Sequence, residues 1–289
     1  MTARRRTGAG GSGMQVGIVG AGVMAEAMIT GLLADRAVPA SRLTASHPRR
    51  DRRAALEKEH GIRVVARNAD AAADADIVVL AVKPQMLGSV MRELVPSLND
   101  GQVVLSIVAG ATLRTLSVGL NHAAVVRAMP NTPSQIRRGI AVWAASSACT
   151  GAQRELARRV LRAIGHEKEV ADEAFVAMAT ALSGTGPTYL FAVMEALVDA
   201  GVHMGFPREL AHDLVVETLI GSAEYAAASE LHPAQLRNLV TSPGGTSAAA
   251  IYELEKGRLR TVLSDAVWAA YRRTLELGEA LERETAPGG

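Results

Sequence analysis

Short β-branched runs alternate with helix-like patterns from residue 15 to about residue 170, and this rhythm limits the fold more than any other feature of the sequence. The runs are V-G-I-V-G (16–20), R-L-T-A-S (42–46), I-R-V-V (62–65), D-I-V-V-L-A-V (76–82), Q-V-V-L-S-I-V (102–108), A-A-V-V-R-A-M (123–129) and G-I-A-V-W-A-A (139–145). Continuous apolar strands separated by helices belong to a parallel sheet covered on both faces. From Asp172 onward the strands vanish and helical patterns take over, with Pro187 and Pro207 where helices start and Gly205 where one stops. Residues 189–198 are apolar on nearly every helical face, so that helix must be buried all round, in a bundle core or a subunit interface.

Composition narrows the functional classes. A chain of 289 residues with 48% hydrophobic residues and a net charge of +2 can bury a large core, which excludes disorder over most of its length. The single cysteine, Cys149, excludes a disulfide framework and a thiolate metal cluster, and it fits a reducing compartment. Lysine occurs only at Lys58, Lys83, Lys168 and Lys256; the remaining basic residues are scattered arginines without a long run, and aromatics make up 3%. No nucleic-acid partner is expected from that pattern. Arg4, Arg5 and Arg6 precede a Gly-rich stretch with no apolar core, so no export signal is expected, and no apolar run is long enough to span a membrane. The expectation is a soluble cytoplasmic protein with a flexible tail over residues 1–13.

The first strand ends at Val19 and runs into Gly20-Ala21-Gly22-Val23-Met24-Ala25, a G-x-G-x-x-A pattern that opens a helix expected over residues 25–33. Gly20 permits a tight turn, Gly22 lets backbone approach a pyrophosphate, and Ala25 lets the helix pack closely on the strand. Phosphates then meet the free N–H groups at the helix start. An NAD-preferring site places an acid at the end of the second strand, but here that strand ends Ser46-His47-Pro48-Arg49-Arg50, with no acid before Asp51. A hydroxyl and two guanidinium groups suit a 2′-phosphate, so NADPH is favoured over NADH, which remains possible. Ligands sit beyond the carboxyl ends of parallel strands, so Asn68, Ala81-Val82-Lys83-Pro84 and Val108-Ala109-Gly110 are expected to line the same crevice. The expected fold class is therefore α/β, with a Rossmann-type dinucleotide-binding domain over 14–171 and an all-helical dimerisation and substrate domain over 172–289.

In the second half, Ala181-Leu182-Ser183-Gly184-Thr185-Gly186-Pro187, continuing through Glu195 to Arg208, resembles the dimer-forming domain of pyrroline-5-carboxylate reductases. So does Leu239-Val240-Thr241-Ser242-Pro243-Gly244-Gly245-Thr246-Ser247 with the helix after it, expected over 248–255. In the first half, Arg127-Ala128-Met129-Pro130-Asn131-Thr132-Pro133 and Ala81-Val82-Lys83-Pro84 match as well, and the resemblance spans about residues 14 to 280. It implies reduction of 1-pyrroline-5-carboxylate to L-proline, usually with NADPH, by a homodimer that assembles further into a decamer. Ser242, Gly244 and Gly245 belong to a segment suited to an anion: Gly244 and Gly245 expose backbone N–H groups, and hydroxyls follow at the start of the next helix. The resemblance implies that Glu230, Thr246 and Ser247 touch the substrate, with Ser247 anchoring the ring and Glu230 stabilising positive charge at its nitrogen. The family more often carries Thr at position 247, and the hydroxyl is retained.

Two rivals stay open at this stage. A β-hydroxyacid dehydrogenase on the same architecture uses a lysine in its helical half, whereas Lys168 and Lys256 lie outside the segments just named. A non-catalytic NADPH sensor is the other. The seven histidines show no metal-ligand spacing, so no metal is expected.

Overall fold

The computed structural model describes residues 13–285. The tail expected over 1–13 lies outside them except for Gly13, whose carbonyl accepts a hydrogen bond from Arg42. The first half of the chain builds β1 (Val16–Val19), α1 (Val23–Ala34), β2 (Leu43–Ser46), α2 (Arg50–His60), β3 (Arg63–Val65), α3 (Asn68–Ala72) and β4 (Ile77–Leu80). There follow α4 (Leu87–Leu94), β5 (Val103–Ser106), α5 (Leu113–Leu120), β6 (Val125–Met129), β7 (Gly139–Ala145), α6 (Gly151–Arg162) and β8 (Gly165–Glu169). The strands form one sheet in the order β3-β2-β1-β4-β5-β6-β7-β8, and the order reverses between β1 and β4. That switch point is where an open α/β sheet opens a crevice at its strand ends.

From β3 to β6 the pairing is parallel, as expected; β7 runs antiparallel to β6. The link between those two strands holds only a 3₁₀ turn (Thr132–Ile136), too short for the helical crossover that a parallel neighbour requires. β8, G-H-E-K-E, closes the edge and is absent from the sequence expectation because it carries no apolar run. Its charges blunt an edge that would otherwise invite pairing. Arg158 and Arg162 from α6 reach Glu167, and Arg158 also reaches Glu169 at 2.7 Å.

The central strands feed two cores, one on each face. Ile77 and Val79 join Ile18, Met28, Leu32 and Val160 on one side, while Val78 and Leu80 join Leu87, Met91, Leu94 and Leu116 on the other. This is the period-2 alternation of a strand buried on both faces. Each such side chain stabilises the fold by about 1.5–3 kcal/mol through burial.

The second half builds α7 (Ala174–Ala179), a π-turn (Thr180–Gly184), α8 (Gly186–His203), α9 (Arg208–Ala228), α10 (Pro233–Leu239), α11 (Thr246–Lys256) and α12 (Leu259–Thr285). Strands stop before 172, as expected. The packing divides the chain further along, after Gly184, and assigns the stretch from Tyr271 onward to the sheet-containing unit. The reason is visible in the burial. Val176, Ala177 and Ala181 are buried, Asn131 Nδ2 donates to the Ser183 carbonyl at 3.2 Å, and Leu281 joins the Leu87–Leu116 core.

The second unit, Thr185–Ala270, is all helical, and in it only Pro187, Val198 and Ala211 are buried. α8 and α9 cross closely, with a Cβ placed on Gly201 lying 3.1 Å from that of Ala211. No helix among the described residues is long and apolar enough to cross a membrane.

Candidate active site

The glycine turn after β1 is shaped from inside and open outside. Gly20 has φ +89°, a conformation L side chains rarely adopt, and a Cβ there would lie 2.6 Å from Val82 Cγ1. At Gly22 the constraint is different: a Cβ would meet nothing within 4 Å. No internal packing demands a glycine at 22, whereas an approaching pyrophosphate would, so the residues present fit a dinucleotide. Val19, Ala21 and Ala25 are buried, Met24 is half-buried and Val23 is exposed. α1 starts at Gly22 with no side-chain cap, which leaves its first N–H groups free for an anion. α5 and α6 instead cap themselves with Thr112 and Thr150.

At the end of β2 the structure corrects one expectation. The hydroxyl expected beside the two arginines, that of Ser46, is wholly buried; it donates to Asn68 Oδ1 at 2.7 Å and accepts from the Gly20 N–H at 3.3 Å. It shapes the turn from below rather than facing a ligand, because position 46 is the last paired residue of an interior strand. Arg49 and Arg50 are exposed at the start of α2. Arg49 holds Asp51 in a two-pronged ion pair, and that hydrogen bond pulls the Asp51 carboxyl down to about 2. Asn68 sits at the start of α3, where Glu93 of α4 accepts from its side-chain amide at 2.8 Å and from its backbone N–H at 2.9 Å.

The loops after β4 and β5 follow. Ala81, Val82 and Pro84 are half-buried, and Lys83 is exposed at the start of a short 3₁₀ turn. Val108 is buried and Ala109 half-buried. Gly110 is packed against the backbone of Leu277 and Gly278 in α12, a close approach that gives it a structural reason to be glycine. Two residues with no role expected from sequence stand beside this loop. Arg127 is buried and pairs with Glu173 at 3.2 Å, and the same Glu173 oxygen accepts from the Leu113 N–H at 3.0 Å. The partners are separated by 46 and 60 positions, so no local spacing signals the pair.

In the helical unit, Gly244 has φ +73° and the Gly245 N–H closes the turn onto the Ser242 carbonyl at 3.0 Å. α11 begins at Gly245, again with no side-chain cap. Ser242, Gly244 and Thr246 are exposed, while Gly245 and Ser247 are half-buried. Glu230 is exposed just past the end of α9. Next to it, His232 is spent on a capping box with Gln235. Among the described residues one group has metal-ligand spacing, Glu26, Glu59 and His60, but the Glu26 carboxylate is held by Arg52.

The family model described as pyrroline-5-carboxylate reductase dimerisation matches residues 173–277, and the model described as NADP oxidoreductase, coenzyme F420-dependent, matches residues 15–110. The pyrroline-5-carboxylate reductase of Pseudomonas aeruginosa is 42% identical over 268 residues, covering 92% of this chain and 98% of that protein. The chain belongs to the pyrroline-5-carboxylate reductase family. The family's enzyme from Synechocystis is 40% identical, over 92% of this chain and 99% of that one. Among solved structures, the pyrroline-5-carboxylate reductase of Coxiella burnetii superposes with a TM-score of 0.85 at 36% identity, covering 92% of this chain and 99% of that chain. The Plasmodium falciparum pyrroline carboxylate reductase, solved with NADP bound, gives 0.84 at 29% identity, covering 92% and 98%. As in a pyrroline-5-carboxylate reductase, a nucleotide-type domain precedes a helical domain of the oligomerising kind, so the expected fold class holds along the chain.

Proposed function

We propose that this chain reduces 1-pyrroline-5-carboxylate to L-proline, with NADPH preferred over NADH. The observation that carries the reading is a repeated device: α1 and α11 each start at a glycine, without a side-chain cap, after a turn containing a positive-φ glycine. One such helix start suits the pyrophosphate of a dinucleotide and the other a small carboxylate.

NADPH, when bound, supplies the hydride that reduces the imine carbon. The chain's own residues do the rest. The N–H groups of the first turn of α1, from Val23 onward, hold the pyrophosphate, Arg49 and Arg50 take the 2′-phosphate, and the loops at Asn68, 81–84 and 108–110 bound the nucleotide. Gly244 and Thr246 hold the substrate carboxylate, while Gly245, whose N–H is spent on the Ser242 carbonyl, closes the turn that presents them. Ser247 anchors the ring, and Glu230 stabilises the positive charge of the protonated imine nitrogen. A protonated imine already accepts hydride, so catalysis is mainly the positioning of two reactants. We assign the working form to a homodimer assembling into a decamer, in the cytoplasm, with residues 14–171 as the nucleotide domain and the helices from 172 as the dimerisation and substrate domain.

The test follows NADPH absorbance on addition of pyrroline-5-carboxylate, where a sustained fall is expected and its absence overturns the function. With Ser247→Ala, kcat/KM for the imine is expected to fall by about tenfold or more, the size of a lost hydrogen bond to a charged ligand, while NADPH affinity stays the same. An unchanged kcat/KM removes Ser247 from the mechanism.

A further inference from the structure

We propose that Glu93 is a positioning residue for the dinucleotide turn, acting through a hydrogen-bonded chain of fixed polarity that runs Glu93–Asn68–Ser46–Gly20. The inference rests on the reading of the G-x-G turn as the dinucleotide site and adds a residue on α4 that touches no ligand.

The polarity follows from donor and acceptor chemistry alone. Glu93 Oε1 accepts from the backbone N–H groups of Asn68 at 2.9 Å and Ala69 at 3.4 Å, and Oε2 accepts from Asn68 Nδ2 at 2.8 Å. A carboxylate can only accept, so the Asn68 amide must turn its NH₂ toward Glu93 and its oxygen toward Ser46. An amide oxygen can also only accept, so the single proton of the Ser46 hydroxyl is committed to it at 2.7 Å. The hydroxyl's lone pairs are then left for the Gly20 N–H at 3.3 Å. Ser46 is wholly buried, so solvent offers no substitute. Gly20 is the residue whose positive φ turns the chain toward Gly22 and the free N–H groups of α1.

If the amide were reversed, Asn68 would donate to Ser46. The hydroxyl proton would have to swing to its remaining neighbour, the Ile18 carbonyl at 3.5 Å, and the Gly20 N–H would compete for the same oxygen. A charge on α4 thus decides which way a buried hydroxyl points beneath the phosphate turn.

Glu93→Gln separates this role from the capping of α3. Its oxygen can still accept from the two backbone N–H groups, but its NH₂ faces that of Asn68, donor against donor. In the full-length protein, dissociation constants for NADPH and NADH are read from nucleotide fluorescence. Glu93→Gln is expected to weaken both by the same factor, about tenfold, the size of one misdirected charge-assisted hydrogen bond. The KM for the imine and kcat at saturating NADPH should stay within about twofold, since only uniform nucleotide binding is lost. Binding of both nucleotides at the wild-type level overturns the proposal, and so does a loss confined to NADPH, which would place the effect at the 2′-phosphate. Should Glu93→Gln fail to fold, Ser46→Ala takes its place: it removes the last link and must weaken both nucleotides equally, and wild-type binding by that variant likewise overturns the chain. Gly22→Val is the control for the underlying reading; if it still binds NADPH, the turn is not the nucleotide site and that reading fails first.

Discussion

The two packing units of this chain solve the burial problem in opposite ways. In the sheet-containing unit Ile18, Ile77, Val79, Leu80 and Trp143 are sealed by helices of the same protomer. In the helical unit Leu190, Phe191, Leu197, Leu214 and Tyr252 are exposed, and the buried positions reduce to Pro187, Val198 and Ala211. An apolar surface of that extent marks a place where another protein surface packs. The first unit carries its own core; the second has one only once it is covered. The match of residues 173–277 to a dimerisation family gives the same result from sequence.

The comparison breaks most visibly at Phe191, which is 59% exposed. Phe191→Asp is expected to dissociate the oligomer and cut turnover by about a hundredfold, because a charge buried in an apolar interface finds no partner. Sedimentation and thermal melting at several protein concentrations check it: the variant should sediment as the smaller species, and the wild-type Tm should rise with concentration while the variant's does not. Ile18→Ala in the first unit is the counterpart, expected to lower stability by about 2–5 kcal/mol through a cavity while leaving the assembly intact. A variant at Phe191 that stays assembled would show that the covering surface lies elsewhere on the unit.

The difference between the units also governs what the sequence could reveal. Apolar β-branched runs announced β1 to β7, most plainly the central strands β1, β4 and β5, which are buried at every residue, and β8 escaped because an edge strand made of Gly, His, Glu and Lys has no such run. The apolar helix at 189–198 was expected to be buried in a bundle core or a subunit interface, and its own protomer leaves Leu190, Phe191 and Leu197 exposed. At the candidate site, backbone-shaping residues were legible and long-range partners were not. Gly20, Gly22, Gly244 and Gly245 stand out by type and spacing. Glu93 and Glu173 meet their partners across 25 and 46 positions, and only the folded sheet brings them together. Ser46 misled because strand position, which decides whether a hydroxyl faces in or out, shifts with a single residue of register.

The next effect is confined to the first unit. The double variant Arg49→Ala, Arg50→Ala is expected to raise KM for NADPH by about tenfold or more and leave KM for NADH within about twofold, as the loss of charge-assisted phosphate contacts requires. Steady-state rates with both nucleotides decide it. Equal loss with both would move the arginines away from the 2′-phosphate, and an accompanying loss of assembly would contradict the separation of roles between the units.

The smallest effect concerns acid. Glu26, in the first turn of α1, is partly buried; burial works to raise its pKa, but hydrogen bonds from Arg52 and His60 outweigh it and hold the carboxyl below its ordinary 4.5. A carboxyl depressed on folding contributes stability that is fully present above the unfolded value and is lost as pH falls through the folded one. The link it makes from α1 to α2 should therefore stand at neutral pH and fail below 4.5. Glu26→Gln is expected to lower stability at pH 7 by no more than about 1 kcal/mol, in the range of partly exposed ion pairs. Chemical denaturation of wild type and variant across the acid range should show the two converging below 4.5. The loss belongs to the first unit, so nucleotide affinity should follow it while the oligomer, held by the helical unit, does not. A gap between the two proteins that persists in acid would mean that Glu26 acts through packing rather than charge.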